Sequence, residues 1–195
     1  MTIVAHIPIA AAGARAEGEV VRTTSGVTVF VTESHALSAP ATDTAAVVRE
    51  LRDRAEISDA MYRFALGQDL RDKELFASSF TADAELDFQP TAAKWGGTAP
   101  LMTGRDVIVD TILGGFAGRV DTTHQVTNTR IAITGDTARL TALVEAQHLL
   151  TADHGTFALL KNRYDVELVR DGGRWLMSRV RIENAWFTGD PTAIF

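Results

Sequence analysis

TARLTALVEAQHLL, residues 137–150, alternates without a break: Ala138, Leu140, Ala142, Val144, Ala146, His148 and Leu150 share one side. A period of two held this long marks a strand with one face on a core. Outward from it, Thr134-Gly135-Asp136 turns back to a strand over Thr122 to Ile133. Downstream, Thr156 to Val169 turns through Arg170-Asp171-Gly172-Gly173 into Arg174 to Asn184. The C-terminal half therefore reads as an antiparallel meander.

Upstream the period changes. From Thr44, the residues Val47, Val48, Leu51, Ala55, Ile57, Ala60, Met61, Phe64 and Ala65 recur mostly at helical spacing, with Asp43 or Thr44 as cap. Glu50 with Arg54 and Asp59 with Arg63 are i,i+4 pairs expected on the wet side. Gly67 is expected to end the pattern. A short helix follows from Asp72 to Phe80, then a strand from Ala84 to Phe88, and a third helix from Arg105 to Phe116. Between them, Gln89 to Thr103 reads as a long loop carrying Trp95, a length typical of lids. Three helices ahead of a meander predict an α+β fold, a curved antiparallel sheet wrapped by N-terminal helices around an apolar pocket.

Residues 1–42 differ from the rest. Glu19 to Thr24 and Val27 to Glu33 flank Ser25-Gly26 as a β-hairpin would, and Ser38 to Thr44 reads as a linker, so the division expected is an arm over 1–42 and a domain over 43–195. Met1 to Ala16 is apolar, but it lacks a cationic start and His6 and Pro8 interrupt it, so no cleaved signal and a cytoplasmic location are expected. No stretch has the length of a membrane span. The net charge of -6 disfavours nucleic acid. The absence of cysteine excludes disulfides, thiolate zinc sites and cysteine nucleophiles. The five histidines show no metal-binding spacing, and the glycine pairs 96–97, 114–115 and 172–173 stand in no strand-to-helix phosphate loop, so no metal and no cofactor are expected.

Three segments together resemble the SnoaL-like branch of the nuclear transport factor two-like superfamily over residues 46–190. LRDRAEISDAMYRFALGQDLRDKELF from Leu51 looks like the family's opening helix, its Asp and its second short helix. Thr122 to Asn128 is similar to its inward-facing histidine strand, and Arg170-Asp-Gly-Gly-Arg-Trp175 to its last hairpin. The resemblance implies a cone-shaped fold. It also implies general acid–base chemistry of the lyase, isomerase or cyclase kind on a small apolar oxygenated molecule, such as a polyketide, steroid or aromatic intermediate. The implied catalytic pair is His124 with Asp69, the carboxylate fixing the imidazole's tautomer.

Other candidates carry two readings each. Tyr62 assists a leaving oxygen, or is an ordinary helix residue. Asn128, two alternations from His124, binds a carbonyl. Phe88, Trp95 and Trp186 form an aromatic wall or lid, or plain core. His148 is a second pocket histidine or a core one. Strand alternation puts Arg179 and Arg181 on a face with Trp175 and Glu183. The rival to an enzyme is a ligand-binding or scaffold module of the same fold. A homodimer is expected, because an exposed apolar sheet face is a liability.

Overall fold

The computed structural model describes residues 36–195. The expected hairpin in the arm, with His6 and His35, lies outside them.

Helix α1 spans Thr44–Leu70, capped by the Asp43 carboxylate on the Ala46 amide at 2.9 Å. It runs through Gly67, where the sequence pattern placed its end. Gly67 serves a close approach instead: a Cβ there would sit 2.5 Å from the Phe76 amide nitrogen of the next helix. Termination falls to Arg71, which takes the left-handed conformation at φ 57 and returns its amide to Gln68 and Gly67. Helix α2 is Lys73–Ala77, shorter than expected, with the Asp72 side chain as its N-cap. Strand β1 (Phe80–Asp87) follows. The segment read as a loop holds helix α3 (Gln89–Ala92), a 3-10 turn (Ala93–Trp95) and strand β2 (Leu101–Thr103). Helix α4 is Arg105–Phe116. Strands β3 (Val120–Thr134), β4 (Thr137–Leu150), β5 (Asp153–Asp171) and β6 (Arg174–Gly189) form the meander, and helix α5 (Pro191–Ile194) follows.

The fold is α+β: one curved, unclosed sheet in the order β2-β1-β6-β5-β4-β3, with helices in its concavity. One ladder departs from the antiparallel rule, since β1 runs parallel to β6. Strand β1 packs against α4 and β6 against α1, and buried Phe80, Leu86, Met177 and Val180 carry one core across that pair. Phe64 meets Phe76, Phe80 and Tyr164 edge-on at 5.3 to 5.9 Å, the geometry aromatic rings prefer. Ile57, Met61, Leu140 and Trp175 are fully buried around them. Truncating such a side chain costs about 2–5 kcal/mol.

Charge ties α1 to the sheet at its early end. Asp53 accepts from both terminal nitrogens of the Arg170 guanidinium at 2.6 and 2.8 Å and from the Trp175 indole at 3.2 Å. The pairs Glu50–Arg54 and Asp59–Arg63 form, but Arg63 is not on the wet side. It is buried, and it donates to the carbonyls of Ser78 and Trp175. The helix floor over the sheet needs donors for those carbonyls, and a long guanidinium supplies them.

Candidate active site

Asp69 is the penultimate residue of α1, where the left-handed turn at Arg71 swings the chain toward β3. Its Oδ1 lies 2.7 Å from His124 Nδ1, and its Oδ2 accepts the His124 amide at 2.7 Å. The Thr122 hydroxyl donates to Oδ1 at 2.9 Å, and Arg71 in turn donates to that hydroxyl at 2.9 Å. Arg71 also donates to the carbonyls of Gln68 and Val120, which fastens the helix end to the strand.

Burial alone raises the Asp69 carboxyl, but the hydrogen bonds and charge from His124, with the Thr122 contact, outweigh it and leave it below the ordinary carboxylate range. An ionised carboxylate only accepts, so Nδ1 is the donor in this contact, and whenever the ring is neutral its lone pair stands on Nε2. Nε2 has no protein partner among the described residues, and His124 lines a cavity.

That cavity is about 530 Å³, within the usual size of a small-molecule site. Its inner end carries His124, His148, Gln68, Asn162 and Tyr164, while Phe88, Trp95, Phe116 and Phe195 form the other walls. The aromatic wall is continuous, with Trp95 stacked on Phe195 at 5.7 Å and tilted against Phe88 at 6.0 Å. His148 sits edge-on to His124 at 5.4 Å and is 3% exposed. Burial, then the nearby His124, lower its pKa to about 3, so it is neutral. Its Nδ1 has no hydrogen-bond partner among the described residues.

The structure thus brings together His124, Asp69, His148, Phe88 and Trp95. It does not bring Tyr62, Asn128 or Trp186 to the cavity. Tyr62 is half exposed, because Met61 and Phe64 take the inward arc of α1. The other two are displaced by β-bulges, which add one residue and reverse the alternation beyond it. In β3, Thr127 pairs with Leu143 but Arg130 with Thr141. The parity set by Thr122 and His124 is lost there, and Asn128, at φ 54, turns to solvent. In β6, Asn184 pairs with Asn162 but Trp186 with Lys161. Ala185 is the extra residue, so Phe187 faces inward against Trp95 and Trp186 stands outside over the Lys161 ammonium. An earlier bulge at Ser178 separates Arg179 and Arg181 from the buried Trp175, with which alternation had grouped them.

Residues unflagged in sequence complete the site. Asn162 and Tyr164 continue the inward row of β5 with Leu160, and a polar residue in that apolar row was the available signal. Burial, then the Asp69 charge, raise the Tyr164 phenol. Gln68 spends its amide donor on the Phe64 carbonyl at 3.1 Å. No local sequence signal marks it. Among the described residues no cluster of three or more metal-ligating side chains occurs, and no helix is long and apolar enough to cross a membrane.

The profile of the SnoaL-like domain family matches residues 49–181. The chain is similar to terrestric acid biosynthesis cluster protein E of Penicillium crustosum, with 32% identity over 147 residues, 72% of this chain and 88% of that protein. Among solved structures, the Kfla4162 protein of Kribbella flavida superposes with a TM-score of 0.62 at 27% identity, covering 70% of this chain and 93% of that one. Hexachlorocyclohexane dehydrochlorinase LinA-type3 of Novosphingobium barchaimii superposes at 0.61 with 23% identity, covering 76% and 97%. At that identity the likeness is one of fold.

Proposed function

The chain belongs to the SnoaL-like domain family, and on that premise we propose that it is a cofactor-independent acid–base enzyme, a lyase, isomerase or cyclase of the dehydratase or cyclase type. Its substrate is a small apolar, oxygenated molecule such as a polyketide or aromatic intermediate. The observation that carries the reading is the 2.7 Å contact of Asp69 with His124 Nδ1, which leaves Nε2 as a base on the wall of an apolar cavity. His124 takes a proton beside a carbonyl or leaving group, and Asp69 holds the tautomer and stabilises the imidazolium. The Tyr164 phenol or neutral His148 is positioned to donate to the oxygen on which charge develops. The similarity to a biosynthesis-cluster protein fits a role in secondary metabolism.

A module filled by its own side chains fits less well, since the described residues leave the cavity open. A homodimer belongs to the same proposal. Val48, Leu51, Tyr62, Leu66 and Leu70 form an exposed apolar row on α1, the kind of surface self-association covers. A monomer by sedimentation would remove that element.

The base can be tested without the native substrate. 5-Nitrobenzisoxazole opens to a coloured phenolate when a base removes its ring C–H proton. H124A is expected to lower kcat/KM by about 10²-fold or more, and D69N to follow in the same direction with the fold intact by circular dichroism. Wild-type turnover no faster than that of H124A would remove the base.

A further inference from the structure

We propose that the substrate is an anion, a carboxylate or an enolised acid, and that Arg119 at the cavity mouth is the residue that anchors its acid group. This rests on the cavity being the substrate site and names the class of molecule it takes.

The argument begins with the charges on the wall. Among the described residues lining the cavity there is no Asp or Glu, and Arg119 is the single Arg or Lys. The surroundings run the other way, since the whole chain carries a net charge of -6. In a negative protein, a cavity lined by no Asp or Glu side chain and carrying a guanidinium at its rim gives an anion a local well that the surface denies. Asp69 does not spoil this well. It lies behind His124, outside the lining, and its oxygens are occupied by His124 and Thr122.

Arg119 is also held in place. It follows the left-handed turn at Gly118, between α4 and β3. Its Nη2 donates to the Ile194 carbonyl and its Nε to the Gly115 carbonyl at 3.4 Å. Neither contact is with a carboxylate, and among the described residues Nη1 has no hydrogen bond. The residue is exposed at the rim. An acid group there keeps part of its hydration, which avoids the desolvation cost of a buried ion pair. Arginine suits this task, because its charge persists at every working pH and its planar donors match a carboxylate.

A row of rings links the two ends. His124 contacts His148 ring to ring at 5.4 Å, His148 contacts Phe195 at 4.9 Å, and Arg119 grips the carbonyl preceding Phe195. On this proposal a flat two-ring skeleton lies along that row, with its acid toward Arg119 and its reacting C–H toward His124.

A matched pair of ligands separates charge from shape. 2-Naphthoate and 2-naphthamide would be titrated by calorimetry into the wild type, R119Q and R119K, with circular dichroism confirming that α5 and the sheet stay folded. The naphthoate is expected to bind the wild type about tenfold or more tightly over the amide, as a charge-assisted contact provides. R119Q should erase that preference and leave amide binding in place, while R119K should keep most of it. Equal affinities in the wild type, no measurable naphthoate binding, or a preference that survives R119Q would overturn the anchor. Neither ligand reports proton transfer, so an anchor that fails here leaves the His124 reading standing, and a failed base leaves the anchor standing.

Discussion

Helix α1 sends two aspartates to the sheet, and their partners separate their roles. Asp53, near the start, meets Arg170 in a two-point contact with the Trp175 indole alongside. Asp69, near the end, meets a histidine and a threonine. Both carboxyls lie below their ordinary range, Asp53 chiefly through its hydrogen bond with Arg170, Asp69 despite the opposing pull of burial. The difference is what the partner can do with a proton. A guanidinium never releases one, so Asp53 is a clasp. An imidazole exchanges one near neutral pH, so the same carboxylate chemistry at Asp69 becomes an orienting group for a base.

The sharpest way to break this contrast is to make the same substitution at both ends. D69N is expected to lower proton-abstraction turnover by about 10²-fold or more. D53N should leave turnover near wild type and instead lower unfolding free energy by about 1–3 kcal/mol, read by denaturant titration. Loss of turnover in D53N equal to that in D69N would erase the distinction.

The two cavity histidines extend the contrast. His124 has a carboxylate and His148 has none, and His148 is held down to about 3 by burial and by His124. A lowered folded value means that the unfolded chain binds more protons between about 3 and the ordinary ~6.5. Stability is therefore complete above that window and falls as pH drops through it, by about 1.4 kcal/mol per unit. H148F, packed by Phe116 and Phe195, should lose clearly less stability than the wild type between pH 7 and pH 5. Parallel losses would show that His148 is not the group responsible.

A smaller effect probes the helix between the clasps. G67A gains about 1 kcal/mol of helix propensity, yet the new methyl meets the Phe76 backbone. Overpacking at roughly 1–3 kcal/mol should win, giving a lower melting temperature. The smallest effects are expected at Tyr62 and Trp186. Y62F and W186F should leave turnover within about twofold, because both rings stand outside the cavity.

What could be read from the sequence follows from how local each signal is. The unbroken alternation of β4 placed every inward residue from Ala138 to His148 correctly. The helix pattern placed Ile57, Ala60, Met61 and Phe64 inside for the same reason. The pairing of Asp69 with His124 came from family resemblance, since no local rule brings the end of a helix to a strand more than fifty residues away. Asn128 and Trp186 were misplaced because bulges follow from how neighbouring strands register, which one strand's own sequence does not display. Gly67 was read as a stop because glycine as a helix breaker and glycine as a packing contact look alike until Phe76 is seen against it.

Those bulges make the cavity wall behave like a text with a reading frame. Each extra residue, in β3 between Thr127 and Arg130 and in β6 at Ser178 and Ala185, exchanges inside for outside for all that follows. Deleting Ala185 would make the ladder regular and leave Trp186 outside and Phe187 against Trp95, whereas keeping Ala185 and losing the bulge would exchange the two. The lining therefore depends on where a strand takes up its extra residue as well as on which side chains it carries, and a one-residue insertion that the ladder does not absorb as a bulge would exchange the inward and outward rows beyond it, a change that substitution alone does not make.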